Sequence, residues 1–226
     1  MKLLLDLTKE YGLVLDGGGA RGAYQIGAWK ALREAGVHIN AVAGTSVGAL
    51  NGALICMGDL EKAEKIWSEM TFSRVMDVDD VWMERLFQGE QRLADILPEI
   101  RRILAEGGVD VTPLRRLIHE TVDEKKIRES GIEFCMTTFS LSEFRKLELS
   151  ISDIPEGRLE DFLLASAYLI GFRNEKLEGR RYLDGGLADN VPVAPLVERG
   201  YKDIIEIRIY GPGREPRVKL PEDAEI

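Results

Sequence analysis

The sequence predicts an α/β fold, a mainly parallel sheet covered by helices, and two observations carry that prediction. Between residues 11 and 57, apolar strand-like runs (11–15 and 39–43) alternate with runs of helical periodicity (23–35 and 47–57), the order expected of strand–helix–strand units. Each strand run also ends in a glycine-rich turn, Asp16-Gly17-Gly18-Gly19-Ala20-Arg21-Gly22 after the first and Ala43-Gly44-Thr45-Ser46-Val47-Gly48-Ala49 after the second. Strand ends in such folds are where ligands are bound.

The elements follow in order. In the first helix Ile26, Trp29, Ala31 and Leu32 recur at helical spacing and Gly36 marks the stop. Residues 60–106 form a looser helical stretch rich in large apolar side chains, among them Trp67, Met70, Phe72, Met76, Met83 and Phe87. Two readings of the 60–110 segment stand open: a helical insertion packing on the core, or a mobile cap whose apolar residues face a lipid-like substrate. Thr112-Pro113 reads as a helix N-cap followed by proline at the first helical position. Runs 132–139 and 145–150 read as strands joined by a polar turn, 159–167 as a helix, and 204–209 as an edge or half-exposed strand. A short strand-like run, Arg181-Tyr182-Leu183, leads into Asp184-Gly185-Gly186.

Bulk properties narrow the functional classes. At 226 residues the chain fits one domain with a sizeable core. A net charge of −9 argues against nucleic acid as a partner and against a dominant anionic-lipid footprint. Cys56 and Cys135 lie in apolar runs and read as buried free thiols, which suits a reducing compartment. No run approaches the length of a membrane span, and the three leucines near the start are too few for a signal peptide. A cytoplasmic location is the expectation. Asp, Glu, His and Cys do not group at ligand spacing, so neither a metal nor another cofactor is expected.

Ser46 is the candidate nucleophile. Gly44-x-Ser46-x-Gly48 between a strand and a helix is the form of a nucleophile elbow, which presents a hydroxyl at a sheet edge. Gly17-x-Gly19-x-x-Gly22 also matches a dinucleotide-binding loop, but residues 36–44 contain no acid to hold the ribose. The other use of such a loop is an oxyanion hole, built from unobstructed N–H groups at a helix start. Consecutive parallel strands are commonly neighbours, so the loop and Ser46 belong on one rim of the sheet.

The serine needs a base. Only two histidines exist, His38 and His119. His38 lies at the far end of the strand leading to Ser46, roughly 26 Å away if extended, and His119 reads as a surface or satisfied histidine in a helix. A Ser-His-Asp triad is therefore disfavoured. Asp184, at a strand end before a tight turn, is the remaining candidate; partial burial would raise its pKa and suit it to accept the serine proton.

Taken together, Asp16-Gly-Gly-Gly-Ala-Arg-Gly22, Gly44-Thr-Ser-Val-Gly48 and Asp184-Gly-Gly186, in this order, resemble the signatures of the patatin-like phospholipases. Ala165-Ser166-Ala167 and Asn190-Val191-Pro192 resemble that family too. The likeness runs from about residue 11 to 209 and is weakest between 60 and 130. It implies a three-layer α/β/α sandwich, one patatin-like domain over residues 1–226, and a lipid acyl hydrolase working through a Ser-Asp dyad. It implies Ser46 as nucleophile and Asp184 as base. The Gly17, Gly18 and Gly19 amides would form the oxyanion hole, with Arg21 supporting that loop. A lipid or acyl-ester substrate, with transient contact to a membrane surface, follows as the expected partner. The family's proline after the Ala-Ser-Ala run is missing from Tyr168-Leu169-Ile170-Gly171-Phe172, a segment expected to shape the acyl pocket. The alternative is a catalytically weak or regulatory lipid-binding protein of the same fold.

Overall fold

Among the described residues six strands form one sheet in the order β4 (Arg145–Ser150), β3 (Glu133–Ser140), β2 (His38–Thr45), β1 (Glu10–Leu15), β6 (Ile204–Ile207), with β5 (Tyr182–Asp184) pairing on β3 off that path. The computed structural model describes residues 5–91 and 93–209, without the side chains of 93–95. The start of the N-terminal leucine run and the Pro/Gly/charge-rich stretch after residue 209 lie outside the described residues.

The chain runs β1 (Glu10–Leu15), α1 (Ala23–Glu34), β2 (His38–Thr45), α2 (Val47–Met57), α3 (Leu60–Ser68), α4 (Asp80–Phe87), α5 (Leu93–Ala105), α6 (Thr112–Thr121) and α7 (Glu124–Glu129). It continues with β3 (Glu133–Ser140), β4 (Arg145–Ser150), α8 (Leu159–Ser166), β5 (Tyr182–Asp184), α9 (Ala194–Val197) and β6 (Ile204–Ile207). β1, β2, β3 and β6 are parallel neighbours, while β4 and β5 run antiparallel to β3. The first four elements and all four later strand readings match the sequence expectation to within two residues at their ends.

The three layers are unequal. On one face of the sheet Leu13, Leu15, Val42, Phe134 and Met136 pack against helices α1–α3 and α6–α8. On the other, Val14, Ala41, Ala43 and Cys135 meet Val191, Val193 and Leu196 from α9 and the segment before it. Because β1 and β2 are covered on both faces, their side chains form near-continuous apolar runs instead of an alternating pattern. α2 is the central helix, with nine of its eleven residues buried, and it ends on Gly58 in the left-handed region.

At α6 the structure shifts the sequence reading by one residue. Val111 is the cap position, and the Asp110 carboxylate, not the Thr112 hydroxyl, accepts the first orphan N–H, that of Thr112, at 2.7 Å. The Asp side chain is the shorter route to that N–H across an Asx-type turn. Cys56 and Cys135 are buried and free, as expected. Among the described residues no helix is long and apolar enough to cross a membrane.

Candidate active site

Ser46 stands between β2 and α2 with φ 56° and ψ −123°, a left-handed conformation that a non-glycine residue holds only when its surroundings enforce it. Those surroundings are backbone. A Cβ on Gly44 would collide with the carbonyl group of Gly48, and a Cβ on Gly48 would collide with the Leu15 carbonyl oxygen. The elbow can therefore press directly against the end of β1 only because both positions lack a side chain. α2 begins at once, with Ala49 and Leu50 N–H donating to the Ser46 carbonyl at 2.9 and 3.2 Å.

Strand pairing brings Asp184 to the same place. β2 pairs with β3 as far as Thr45 opposite Thr137. On the same β3, the next residue, Thr138, pairs with Asp184 of β5. The end of β2 and the end of β5 thus meet head to head against one strand, and Ser46 and Asp184 occupy that junction. Gly185 follows so closely over the Thr137 carbonyl that a Cβ there would overlap it.

The carboxylate is buried. Its Oδ1 accepts from Gly186 N–H at 2.8 Å, whereas among the described residues Oδ2 has no hydrogen-bond partner. Burial pushes the Asp184 pKa above its ordinary value; the Ser46 hydroxyl and the Gly186 N–H pull it back in part. The Ser46 influence and the unsatisfied Oδ2 agree if the hydroxyl is near but not aligned for a full bond. Such contacts often tighten only when substrate is present.

The glycine loop lies beside the elbow. A Cβ on Gly17 would stand 3.2 Å from Ser46 Cβ. Gly17 N–H is already committed, donating to Asn190 O at 3.2 Å, and Asn190 Nδ2 returns a bond to Gly17 O at 3.1 Å. Among the described residues the Gly18 and Gly19 N–H groups have no acceptor. Arg21 N–H closes the turn on Gly18 O at 3.4 Å. A buried polar network supports the loop: Gln25 Nε2 donates to Asp16 O at 2.8 Å, Asn51 Nδ2 to Gln25 Oε1 at 2.8 Å, and Trp67 Nε1 to Asn51 Oδ1 at 2.8 Å.

From Ser46 an apolar cavity of about 440 Å³ runs along α2 past Leu50 and Leu54, within the range of about 300–1,000 Å³ usual for ligand sites. Its far walls are Trp67, Met70, Phe72, Val75, Met76, Met83 and Phe87. Within the 60–110 segment, residues 60–87 both pack on the core and wall the cavity. Leu169 and Phe172, from the segment that lacks the proline, close another side.

Neither histidine reaches the site. His38 is the first residue of β2, and His119 is exposed on α6, 3.1 Å from Glu160. Among the described residues no cluster suits a metal ion. Three supporting residues had no role assigned from sequence: Asn190, Asn51 and Ser166. Ser166 had a signal, since a hydroxyl that follows the apolar run Leu163-Leu164-Ala165, too long to be one face of a helix, must find a partner inside the core.

A strained serine elbow opens on an apolar cavity at the edge of a mostly parallel sheet, the arrangement of a protein class built to present a serine nucleophile. Residues 13–197 match the family model of the patatin-like phospholipases, and the chain belongs to that family. It is 30% identical over 202 residues to neuropathy target esterase sws of Drosophila melanogaster and 31% identical over 185 residues to that of Drosophila persimilis. These alignments cover 88% and 80% of this chain but only 13% and 11% of those proteins. Among solved structures, VipD from Legionella pneumophila superposes over 87% of this chain and 49% of its own with a TM-score of 0.55 at 15% identity, which shows the shared fold.

Proposed function

We propose that this chain hydrolyses carboxylic ester bonds of lipids, with Ser46 as nucleophile and Asp184 as its base. The observation that carries the reading is the head-to-head meeting of β2 and β5 on β3, which sets the serine beside a buried, partly unsatisfied carboxylate. Ser46 Oγ attacks the ester carbonyl while Asp184 takes its proton, then returns it to the leaving alcohol. Water, deprotonated by Asp184, then attacks the acyl-enzyme carbonyl; the acyl–Oγ bond breaks, Asp184 returns the proton to Ser46 Oγ, and the fatty acid leaves. The developing oxyanion is received by the Gly18 and Gly19 N–H groups, whose hydrogens are uncommitted. Gly17 and Asn190 hold the loop in place. Each such donor is worth about 10²–10³ in rate.

The cavity supports an acyl chain as the group recognised. Phe87 and Leu169 line it while remaining exposed, and Ile170, next to Leu169 in the chain, is 76% exposed. That apolar rim supports transient contact with a membrane surface, from which a lipid could enter. A regulatory lipid-binding role is disfavoured by a site that retains every group the chemistry requires.

A fluorophosphonate probe should label the protein at Ser46, and Ser46→Ala should remove both labelling and turnover of a p-nitrophenyl ester; labelling that survives the substitution sinks the assignment. Cavity length is tested separately. Leu54→Trp should lower kcat/KM for long-chain esters by roughly 10-fold or more, because each methylene displaced from an apolar pocket is worth about 1–3 kcal/mol, and leave acetate esters unchanged. An equal loss on both would place the acyl chain elsewhere.

A further inference from the structure

The backbone amides of both reacting residues are held by one short piece of chain, residues 165–168 at the end of α8. Ser46 N–H donates to Ser166 Oγ at 2.9 Å, and the same hydroxyl donates to Thr137 O at 2.7 Å. Two residues on, Tyr168 O accepts from Asp184 N–H at 2.7 Å. Ala165 O accepts from Thr138 Oγ1 at 2.9 Å, which pins the turn to the strand on which β2 and β5 meet. Ser166 is fully buried, so these bonds face no competition from solvent.

Ser46 needs such an anchor. Its φ of 56° is a strained state that relaxes unless neighbouring structure over-determines it. Gly44 and Gly48 permit the elbow, but permission is not restraint. The restraint from the side is the Ser166 hydroxyl, which must accept and donate at once, as only a hydroxyl of this size can here.

We propose that Ser166 is a positioning residue for the reaction: its hydroxyl fixes the nucleophile's amide while the Tyr168 carbonyl fixes the base's, so one turn sets their separation and orientation. This rests on the assignment of Ser46 and Asp184 above. The same turn continues into the cavity wall through Ala167 and Leu169. It is then tied to the end of the 60–110 segment by Val109 N–H on Gly171 O at 2.9 Å and by the Arg173–Asp110 ion pair.

The test compares the full chain with Ser166→Ala, Ser166→Thr, Ser166→Cys and Ser46→Ala, using p-nitrophenyl butyrate and a fluorophosphonate probe. Ser166→Ala should label to the same endpoint as wild type, but more slowly. Its labelling rate and kcat should fall in parallel, on the order of 10²-fold, the scale for a nucleophile misplaced by about 1 Å, with KM unchanged. Ser166→Thr, which keeps the hydroxyl, should recover most of the rate. If Ser166→Ala matches wild type in kcat while Ser46→Ala is inactive, positioning is overturned and the reacting pair stands. If Ser46→Ala stays active, the pair itself fails. A lowered labelling endpoint at an unchanged rate would mean lost folded protein and would also overturn positioning. Should Ser166→Ala not fold, Ser166→Cys, of similar size but a weak acceptor, is judged by the same criteria.

Discussion

Replacing Asp184 with asparagine should lower kcat on a carboxylic ester on the order of 10⁴-fold or more, the scale seen when the group activating a serine is disabled. The same substitution should raise the melting temperature at neutral pH. Burial raises the folded-state pKa of Asp184 above its ordinary value of 3.8. Between those two values the folded chain binds more protons than the unfolded chain, so stability falls as pH rises through that window. Above it, the full penalty of a buried carboxylate is present. Below it, the penalty is gone. Asparagine is neutral throughout, so its advantage should be complete at neutral pH and vanish below pH 3.8. Each kcal/mol corresponds to about 2–4 °C for a chain of this size. The acid limb of the wild-type kcat/KM profile should likewise lie above the ordinary carboxylate pKa, because only ionised Asp184 can accept the proton. Paired thermal melts and a pH–rate profile check both halves, and wild-type turnover by Asp184→Asn would remove Asp184 from its role.

Gly48→Ala carries the second large effect. The added methyl would meet the Leu15 and Asp16 carbonyl oxygens, backbone atoms of a central strand that cannot swing aside. Overpacking of this kind costs about 1–3 kcal/mol, and here it would also push the elbow away from the end of β1. Melting temperature should drop by several degrees and kcat should collapse with it. Gly27→Ala is the control: it lies within α1, nothing approaches its Cβ position within 4 Å, and alanine favours the helix by about 0.5–1 kcal/mol. A Gly48→Ala protein as stable and active as Gly27→Ala would show that the close contact is not needed.

The parts legible in the sequence are those encoded locally. The alternation of β1, α1, β2 and α2 shows as a change of apolar period, and the elbow and glycine loop show as small residues at strand ends. Candidate chemistry at Ser46 and Asp184 followed from the histidine inventory and a family likeness. What escaped was tertiary. That β5 continues the line of β2 along β3 depends on pairing between segments with no local signature. The commitment of Gly17 N–H to Asn190 and of Ser46 N–H to Ser166 spans 173 and 120 positions. The unequal helical layers were also hidden, because β1 reads as equally apolar whichever face carries more helices. A cavity wall and a core look alike in composition, which is why Trp67 and Met70 could be assigned to either.

The junction of β2 and β5 on β3 also bears on how the chain reaches its working state. β5 is only three residues long, and side chains alternate faces along a strand, so a slip of one residue would turn the carboxylate away from the serine. The correct register is locked from outside the strand, by Thr45 Oγ1 on Asp189 O across 144 positions. Contacts of such separation carry a loop-closure penalty and form slowly. Helices and the first parallel pair can therefore assemble before Asp184 is brought to the elbow. On the proposed assignment, reactivity at Ser46 would report that β5 has seated on β3, and competence would be a property of the finished sheet instead of any segment of it.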